Sequence, residues 1–598
     1  MKIVSIYPHP MDDQYRHDHN VTMIKNKEIY SYEEAKLKGS KNDDASSFPI
    51  RSIFMGFKQL KITPRNIDFW VFPTPSKKIN YKIYKFFFVD FFKSTSEKNL
   101  KRFLKEKVIF VKHHEAHVYT GFFSSNFEQS DIISIDGGGD MGDERRMLWG
   151  NINNKNRKLF KKYGETFNSA GLGVGAYHNH LTDLLGFYDN NGKTSGLASY
   201  GKLNKKLYKN LKKLFIYNWS KNNIKFSNKR SKSNERFSEI KIHNFEAKKY
   251  LKTSPVKSEL SIICKNFKPQ DIAKTGEILL QDLTIEMIGK FFKNSKAKNL
   301  ICVGGLFNNV ALNNFISKKS GYKKTFFSMS PGDSGLSLGM ALYLKKMKGK
   351  IKSNLSNGEC GINPFLGPSF NEKEIEEILI NSKIKYKKIN LYKKLNSIIV
   401  NKIIKGKIVG LFRDRAEFGP RSLGARSILA DPRNIKSKHR VNQFIKRRDW
   451  FMPYAPSVID ENFKDYFGHQ GKSQYMQLTQ KVSKKFLKIA PAACHVDGTS
   501  RSQIVIKKNN HKYHDLIKKF GDKTGCYSLL NTSFNRHGIA TISSPKQAIE
   551  HLLDGTVEIL ILNNFIIELE NNRKLHKRFK NEIYLSEKSL LKKFEKNF

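Results

Sequence analysis

Three apolar runs in this chain stop at glycine-rich turns, and no other feature limits its fold as much. "SDIISIDGGGD" ends at Asp136-Gly137-Gly138-Gly139-Asp140, "NLICVGG" at Gly304-Gly305, and a third turn reads Gly332-Asp333-Ser334-Gly335. Short apolar runs bounded by turn residues read as buried β-strands. Glycine at a strand end lets main-chain N–H groups approach a phosphate with no Cβ in the way. An aspartate in such a turn can bind a metal ion that bridges to the phosphate. One turn of this kind arises for steric reasons alone; three within one chain ask for a common purpose.

Because the three strands alternate with helical patterns, they predict an actin- or sugar-kinase-like nucleotide fold. "KHHEAHVY" at 112–119 adds a second constraint. Histidines at i and i+4 of a helix share one face, so His113 and His117 can grip one ion, while His114 points elsewhere. The plainer reading is a polar helix turn with hydrogen-bonded histidines. Asp333 is a candidate third ligand and Asp136 another. Two imidazoles with one or two carboxylates, and positions left open for phosphate, suit Fe(II) or another divalent metal, with Mg or Mn as alternatives.

At 598 residues the chain exceeds what one hydrophobic core supports. Residues 345–365, "KKMKGKIKSNLSNGECGINPF", have linker composition. They divide an N-terminal α/β region, 1–350, from a second α/β region, 366–570, and a basic amphipathic helical tail at 571–598. Residues 1–35 read as a hairpin and 270–293 as a helix with apolar residues at three and four spacing. Residues 203–260, rich in Lys, Asn and Ser, read as a loop-like excursion.

The formal net charge of +54 comes mostly from lysines dispersed over polar faces. Nucleic acid is therefore not the expected partner, although anionic small substrates would be attracted. No uncharged apolar run reaches the eighteen residues of a membrane helix, and "MKIVSIYPHPMDD" lacks the apolar core of a signal peptide. A cytoplasmic protein without membrane association is expected, with oligomerisation left open. The five cysteines are scattered without a CxxC pair, which excludes a disulfide framework, a zinc ribbon and an iron–sulfur site.

The second region carries an arginine block. Arg415, Arg421 and Arg426 surround a rigid "FGPRSLG" turn, and Lys446, Arg447 and Arg448 follow. Guanidinium forks match phosphate oxygens in pairs, and arginine stands here where the rest of the chain uses lysine. That switch points to an anion cradle rather than a solvated basic surface. Asn531, Ser533 and Asn535 in "NTSFN" offer neutral donors and acceptors fit for a carbamoyl amide or a nucleotide, or an Asx-type turn with no ligand.

Several of these motifs, with others in fixed order, resemble the O-carbamoyltransferase family of nodulation-factor, cephamycin and tobramycin carbamoyltransferases. They are "HHEAH" at 113, "DGGGD" at 136, "GKTSGLASYGK" at 192, "CVGGLFNNVALNN" at 302 and "PGDSGLSLGMAL" at 331. In the second region they are "RAEFGPRSLGARSILADPRN" at 415, "IKRRDWFMPYAPSV" at 445, "HVDGTSRSQIV" at 495 and "LLNTSFN" at 529. The series runs from about residue 3 to 568.

The resemblance implies a YrdC-like C-terminal domain that makes carbamoyl adenylate from carbamoyl phosphate and ATP. Its candidate ligands are Arg415, Arg421, Arg426, Lys446, Arg448, Asn531, Ser533 and Asn535. It implies an N-terminal domain, similar to the tRNA threonylcarbamoyl-transferring ATPase, that passes the carbamoyl group to a hydroxyl of a sugar or specialised metabolite. There His113, His117 and Asp333 match metal positions, with Asp136 as a further ligand. Gly137, Gly138, Gly139, Lys193, Gly304, Gly305 and Asn309 are candidate nucleotide ligands, and His17, which matches the family's N-terminal His-Asp pair, is a candidate general base.

The chain departs from the family pattern at "YRHDHNVT", where small residues are lost. It departs again at Met452, where an arginine is usual, and at "NRHGIATI" (535–542). Two other readings stand beside this one: a tRNA threonylcarbamoyladenosine fusion enzyme, and a basic nucleic-acid-binding protein with a degenerate ATPase core.

Overall fold

One sheet topology is used twice in the N-terminal half. The computed structural model describes residues 1–7, 18–40, 48–75, 81–137, 145–156, 158–167, 173–187, 191–218, 223–226, 259–349, 361–446, 449–536 and 538–580. The first sheet comprises β1 (Lys2–Tyr7), β2 (Asn20–Lys25), β3 (Glu28–Glu33), β4 (Phe69–Pro73) and β5 (Val108–Val111), in the order β3-β2-β1-β4-β5. After β6 (Gln129–Ile135), β7 (Arg145–Asn153) and β8 (Phe160–Phe167) come a short hairpin, β9 (Phe215–Asn218) with β10 (Asn223–Phe226), then β11 (Asn299–Val303) and β12 (Lys324–Phe327). The second sheet runs β12-β11-β6-β7-β8, the same order read from the other edge. In both, the first three strands form an antiparallel meander and the last two lie parallel to the first. The central strands are covered on both faces, which is why "KIVSIY" and "DIISI" read as nearly continuous apolar runs.

The fifth strand of each sheet feeds a helix. β5 leads into His113–Ser124, and β12 leads through the Asp333 turn into Leu336–Met347. These two helices pack on one another at very short range: a Cβ on Gly339 would collide with the Ala116 carbonyl and the Thr120 hydroxyl. The first lies on β6 and β11, the second on β1, β2 and β4. The pair is thus sandwiched between the sheets, each helix on the other copy's strands.

The C-terminal half holds β13 (Lys387–Lys388), β14 (Val409–Phe412), β15 (Arg426–Ala430), β16 (Ala455–Ile459), β17 (Gln480–Lys481), β18 (Thr499–Ser500), β19 (Gln503–Val505), β20 (Ser528–Ser533), β21 (Ile559–Leu562) and β22 (Phe565–Glu568). Eight of them form one mixed sheet, β13-β22-β21-β14-β15-β20-β16-β19, while β17 and β18 pair separately. Helices Tyr392–Ile404 and His511–Thr524 pack together, and Leu395, Ile399, Leu516 and Phe520 join the strands in one buried core. A different core joins the halves: Ile3, Val71, Phe122 and Met340 share it with Leu366, Phe418, Ala455 and Met476.

Several local expectations are corrected. Residues 1–35 form three strands rather than a hairpin, because Asn26 takes a left-handed conformation (φ 56°) and reverses the chain between β2 and β3. Part of 203–260 is regular: helix Lys205–Lys212 buries Leu207 and Leu211 four residues apart, capped by Asn204. The linker expected at 345–365 lies outside the described residues at 350–360, and beyond it Ile362 and Leu366 are core residues. The tail is helical at 573–580, and its remainder lies outside the described residues. Cys264, Cys302, Cys494 and Cys526 are buried free thiols, and Cys360 lies outside the description. Among the described residues no helix is long and apolar enough to cross a membrane.

Candidate active site

The ends of the parallel strands from both sheets meet at one place, where open α/β sheets bind their ligands. His113 and His117 stand in the first two turns of the helix after β5, and their Nε2 atoms lie 3.2 Å apart. Asp136 follows β6 directly, and Asp333 opens the turn after β12. His117 Nε2 lies 3.0 Å from Asp136 Oδ2 and 3.3 Å from Asp333 Oδ1, and His113 Nε2 lies 3.5 Å from Asp333 Oδ1. Both imidazoles are buried, while the carboxylates keep 16% and 12% of their side-chain surface exposed, leaving one side of the cluster accessible. His114, by contrast, is tied to Ser134 Oγ and the Arg145 carbonyl, each at 2.8 Å.

Burial alone would push the His117 imidazolium towards losing its proton, but hydrogen bonds to Asp136 and Asp333 outweigh it and raise its pKa. The cluster therefore attracts positive charge. One nitrogen or oxygen from each of the four residues falls within 4.8 Å of all the others. Bonds of about 2.1 Å to a central ion would put neighbouring ligand atoms about 3.0–3.4 Å apart. The 3.0–3.5 Å separations observed match that geometry. The donor set of two imidazoles and two carboxylates fits a divalent cation.

The three glycine turns close around these carboxylates. Gly137 and Gly305 donate main-chain N–H groups to Asp136, at 2.6 Å on Oδ1 and 3.0 Å on Oδ2. Gly304 (φ 100°) takes a left-handed conformation open to glycine, and its N–H binds the Pro331 carbonyl at 2.8 Å, joining the second turn to the third. Gly138, Gly139 and the candidate base His17 lie outside the described residues.

Asn309 faces inward. Its side-chain oxygen caps helix Val310–Lys319, and its amide donates to Glu277 at 2.9 and 3.1 Å. Glu277 also receives Ser195 Oγ at 2.6 Å and faces His178 Nε2 at 2.9 Å. This buried cluster was not anticipated from sequence. Its signal was a carboxylate on the inward face of an apolar-striped helix, Pro269–Phe291. Lys193 reaches across to the C-terminal half, 2.8 Å from Asp449 Oδ2.

In that half the structure brings Lys446, Ser533 and Asn535 together at the end of β20. Lys446 Nζ donates to the Ser533 carbonyl, to Ser533 Oγ at 3.2 Å and to the Asn535 carbonyl at 2.7 Å. Asn531 lies deeper, donating to the Ser422 carbonyl and Ser457 Oγ at 3.0 and 2.9 Å, and its buried Oδ1 has no hydrogen-bond partner among the described residues. Arg421 sits half-buried in the FGPRSLG turn.

Arg415 and Arg426 depart from the expected anion cradle. The Arg426 guanidinium is buried against the Phe412 ring and donates to the carbonyls of Arg413, Asp414, Ala425 and Pro368. Arg415 likewise donates to the carbonyls of Ile29, Leu366 and Gly367. The Arg415 fork ties Ile29 of the N-terminal half to Leu366 and Gly367, and the Arg426 fork braces loops within the C-terminal half. Arg448 lies outside the described residues.

With this geometry in view, two family profiles match: the carbamoyltransferase N-terminus over residues 73–342 and the carbamoyltransferase C-terminus over 400–569. An uncharacterized protein of Methanocaldococcus jannaschii is 31% identical over 494 residues, covering 79% of this chain and 76% of its own length. Nodulation protein NolO of Bradyrhizobium diazoefficiens is 27% identical over 461 residues, 76% of this chain and 78% of its own. Among solved structures, T. kodakarensis HypF overlays at a TM-score of 0.30 and 13% identity, covering 59% of this chain and 48% of that one. The chain belongs to the carbamoyltransferase family and is a carbamoyltransferase enzyme.

Proposed function

We propose that the protein is an ATP-dependent O-carbamoyltransferase. In the C-terminal, YrdC-like half water releases inorganic phosphate from carbamoyl phosphate, and an oxygen of the resulting carbamate attacks the ATP α-phosphorus, so that pyrophosphate leaves and carbamoyl adenylate forms. The N-terminal, actin/sugar-kinase-like half passes the carbamoyl group to a hydroxyl of a sugar or specialised metabolite. The observation that carries this reading is the convergence of His113, His117, Asp136 and Asp333 on three glycine turns at the meeting of two sheets of equal topology.

In the transfer step the acceptor oxygen attacks the carbamoyl carbon. A new carbon–oxygen bond forms, the bond from that carbon to the adenylyl phosphate oxygen breaks, and AMP leaves. The hydroxyl proton goes to a base, the role proposed for His17. A divalent ion held by the four side chains would supply charge neutralisation at the departing phosphate. Gly137 and Gly305 hold the Asp136 carboxylate in place, and the turns around them offer main-chain donors to a phosphate. At the other site Lys446, fixed by Ser533 and Asn535, supplies a point charge for carbamoyl phosphate.

Incubation with ATP and carbamoyl phosphate tests the scheme: AMP and pyrophosphate should appear, and absence of both overturns it. Lys446→Ala should abolish pyrophosphate release. His117→Ala should retain it while losing the bound metal and transfer to a hydroxyl, measured by metal analysis and product mass.

A further inference from the structure

Tyr7 and Asn20 are register partners on adjacent strands, β1 and β2, and both close on Asp333. The Tyr7 hydroxyl donates to Asp333 Oδ2 at 3.2 Å, while Oδ1 of the same carboxylate faces His117 and His113. The Tyr7 ring is buried and lies edge-on to His113, 6.2 Å between centroids at 62°. Asn20 Nδ2 donates to the Asp333 main-chain carbonyl at 3.0 Å, and its Oδ1 accepts from the Ser337 N–H at 3.0 Å. Asn20 falls in the "HDHN" stretch where the chain loses its expected small residues. The amide that replaces them spans from β2 to the first turn of Leu336–Met347.

We propose that Tyr7 and Asn20 are positioning residues that set which metal ion the site accepts. The inference rests on the metal-binding reading of the four-residue group. A phenol on Oδ2 holds Asp333 to one-oxygen coordination through Oδ1, and the Asn20 clamp stops the turn from rotating the second oxygen inward. A site of two imidazoles and two one-oxygen carboxylates favours a small ion with few short bonds, such as Zn²⁺, Fe²⁺ or Mn²⁺. Ca²⁺ takes six to eight oxygens and readily uses both oxygens of a carboxylate, so the phenol discriminates against it.

The test is chelator competition on the full chain with Zn²⁺, Mn²⁺ and Ca²⁺, for wild type, Tyr7→Phe and Asn20→Ala, with thermal melts beside it. Tyr7→Phe keeps the ring and should lower the Zn²⁺-over-Ca²⁺ affinity ratio about tenfold or more. Asn20→Ala should lower it in the same direction by a smaller factor, and Mn²⁺ bound to Tyr7→Phe should give a changed electron paramagnetic resonance spectrum. Wild type that binds Zn²⁺ or Mn²⁺ while both variants keep its ratio overturns this proposal alone. Wild type that binds none of the three ions overturns the metal reading beneath it as well.

Discussion

Glu277 shows how one residue fixes local chemistry. Burial alone would raise its pKa, but the facing His178 charge and the hydrogen bonds from His178, Ser195 and Asn309 lower it below the usual carboxylate value. A carboxylate with a depressed folded pKa contributes stability that is complete above its unfolded value of about 4.3 and is lost as pH falls through the folded one. Glu277→Gln keeps the shape and removes the charge, so it should cost about 3 kcal/mol near neutral pH. Urea unfolding should show the gap to wild type closing as pH falls through and below about 4.3. Arg415 and Arg426 teach a related lesson. Their choice over lysine did signal fixed geometry, yet the acceptors proved to be main-chain carbonyls, which no residue type in the sequence announces.

At the scale of elements, the site depends on two helices being almost in backbone contact. Gly339 permits that approach, and the Thr120 hydroxyl, 2.8 Å from the Ala116 carbonyl of its own helix, lies 2.9 Å from the Gly335 carbonyl across the contact, its one proton shared between them. Gly339→Ala should wedge Leu336–Met347 away from His113–Ser124, with about 1–3 kcal/mol lost from overpacking. Because Asp333 precedes one helix and the two histidines ride on the other, metal affinity should fall in the same variant, checked by chelator competition.

The histidine spacing, the glycine turns and the long helix Pro269–Phe291 were legible because each is written within a few turns of chain. The repeated sheet was not. Its two copies share strand order but no residue pattern of short period, and pairings such as β6 with β11 join residues some 170 apart. Tyr7 was equally hidden, since its hydrogen bond to Asp333 spans 326 residues.

At the scale of the whole molecule, the halves meet through apolar packing and a polar strap. Lys193 pairs with Asp449, Ser199 Oγ donates to Asp497 at 3.0 Å, and Tyr200 lies edge-on to Trp450 at 4.7 Å. Asp449 stands three residues beyond Lys446, so this strap links the proposed nucleotide side of one half to the proposed carbamoyl phosphate side of the other. Asp449→Asn should therefore slow carbamoyl transfer about tenfold or more while leaving pyrophosphate release near wild type, measured by parallel assays of the two products.

The repeated sheet has one more consequence. Both imidazoles come from the first copy and both carboxylates from the second, so neither copy owns a complete ligand set. An ion seated there would tie the two copies together, so withdrawing it with a chelator should quicken amide exchange along both helices together.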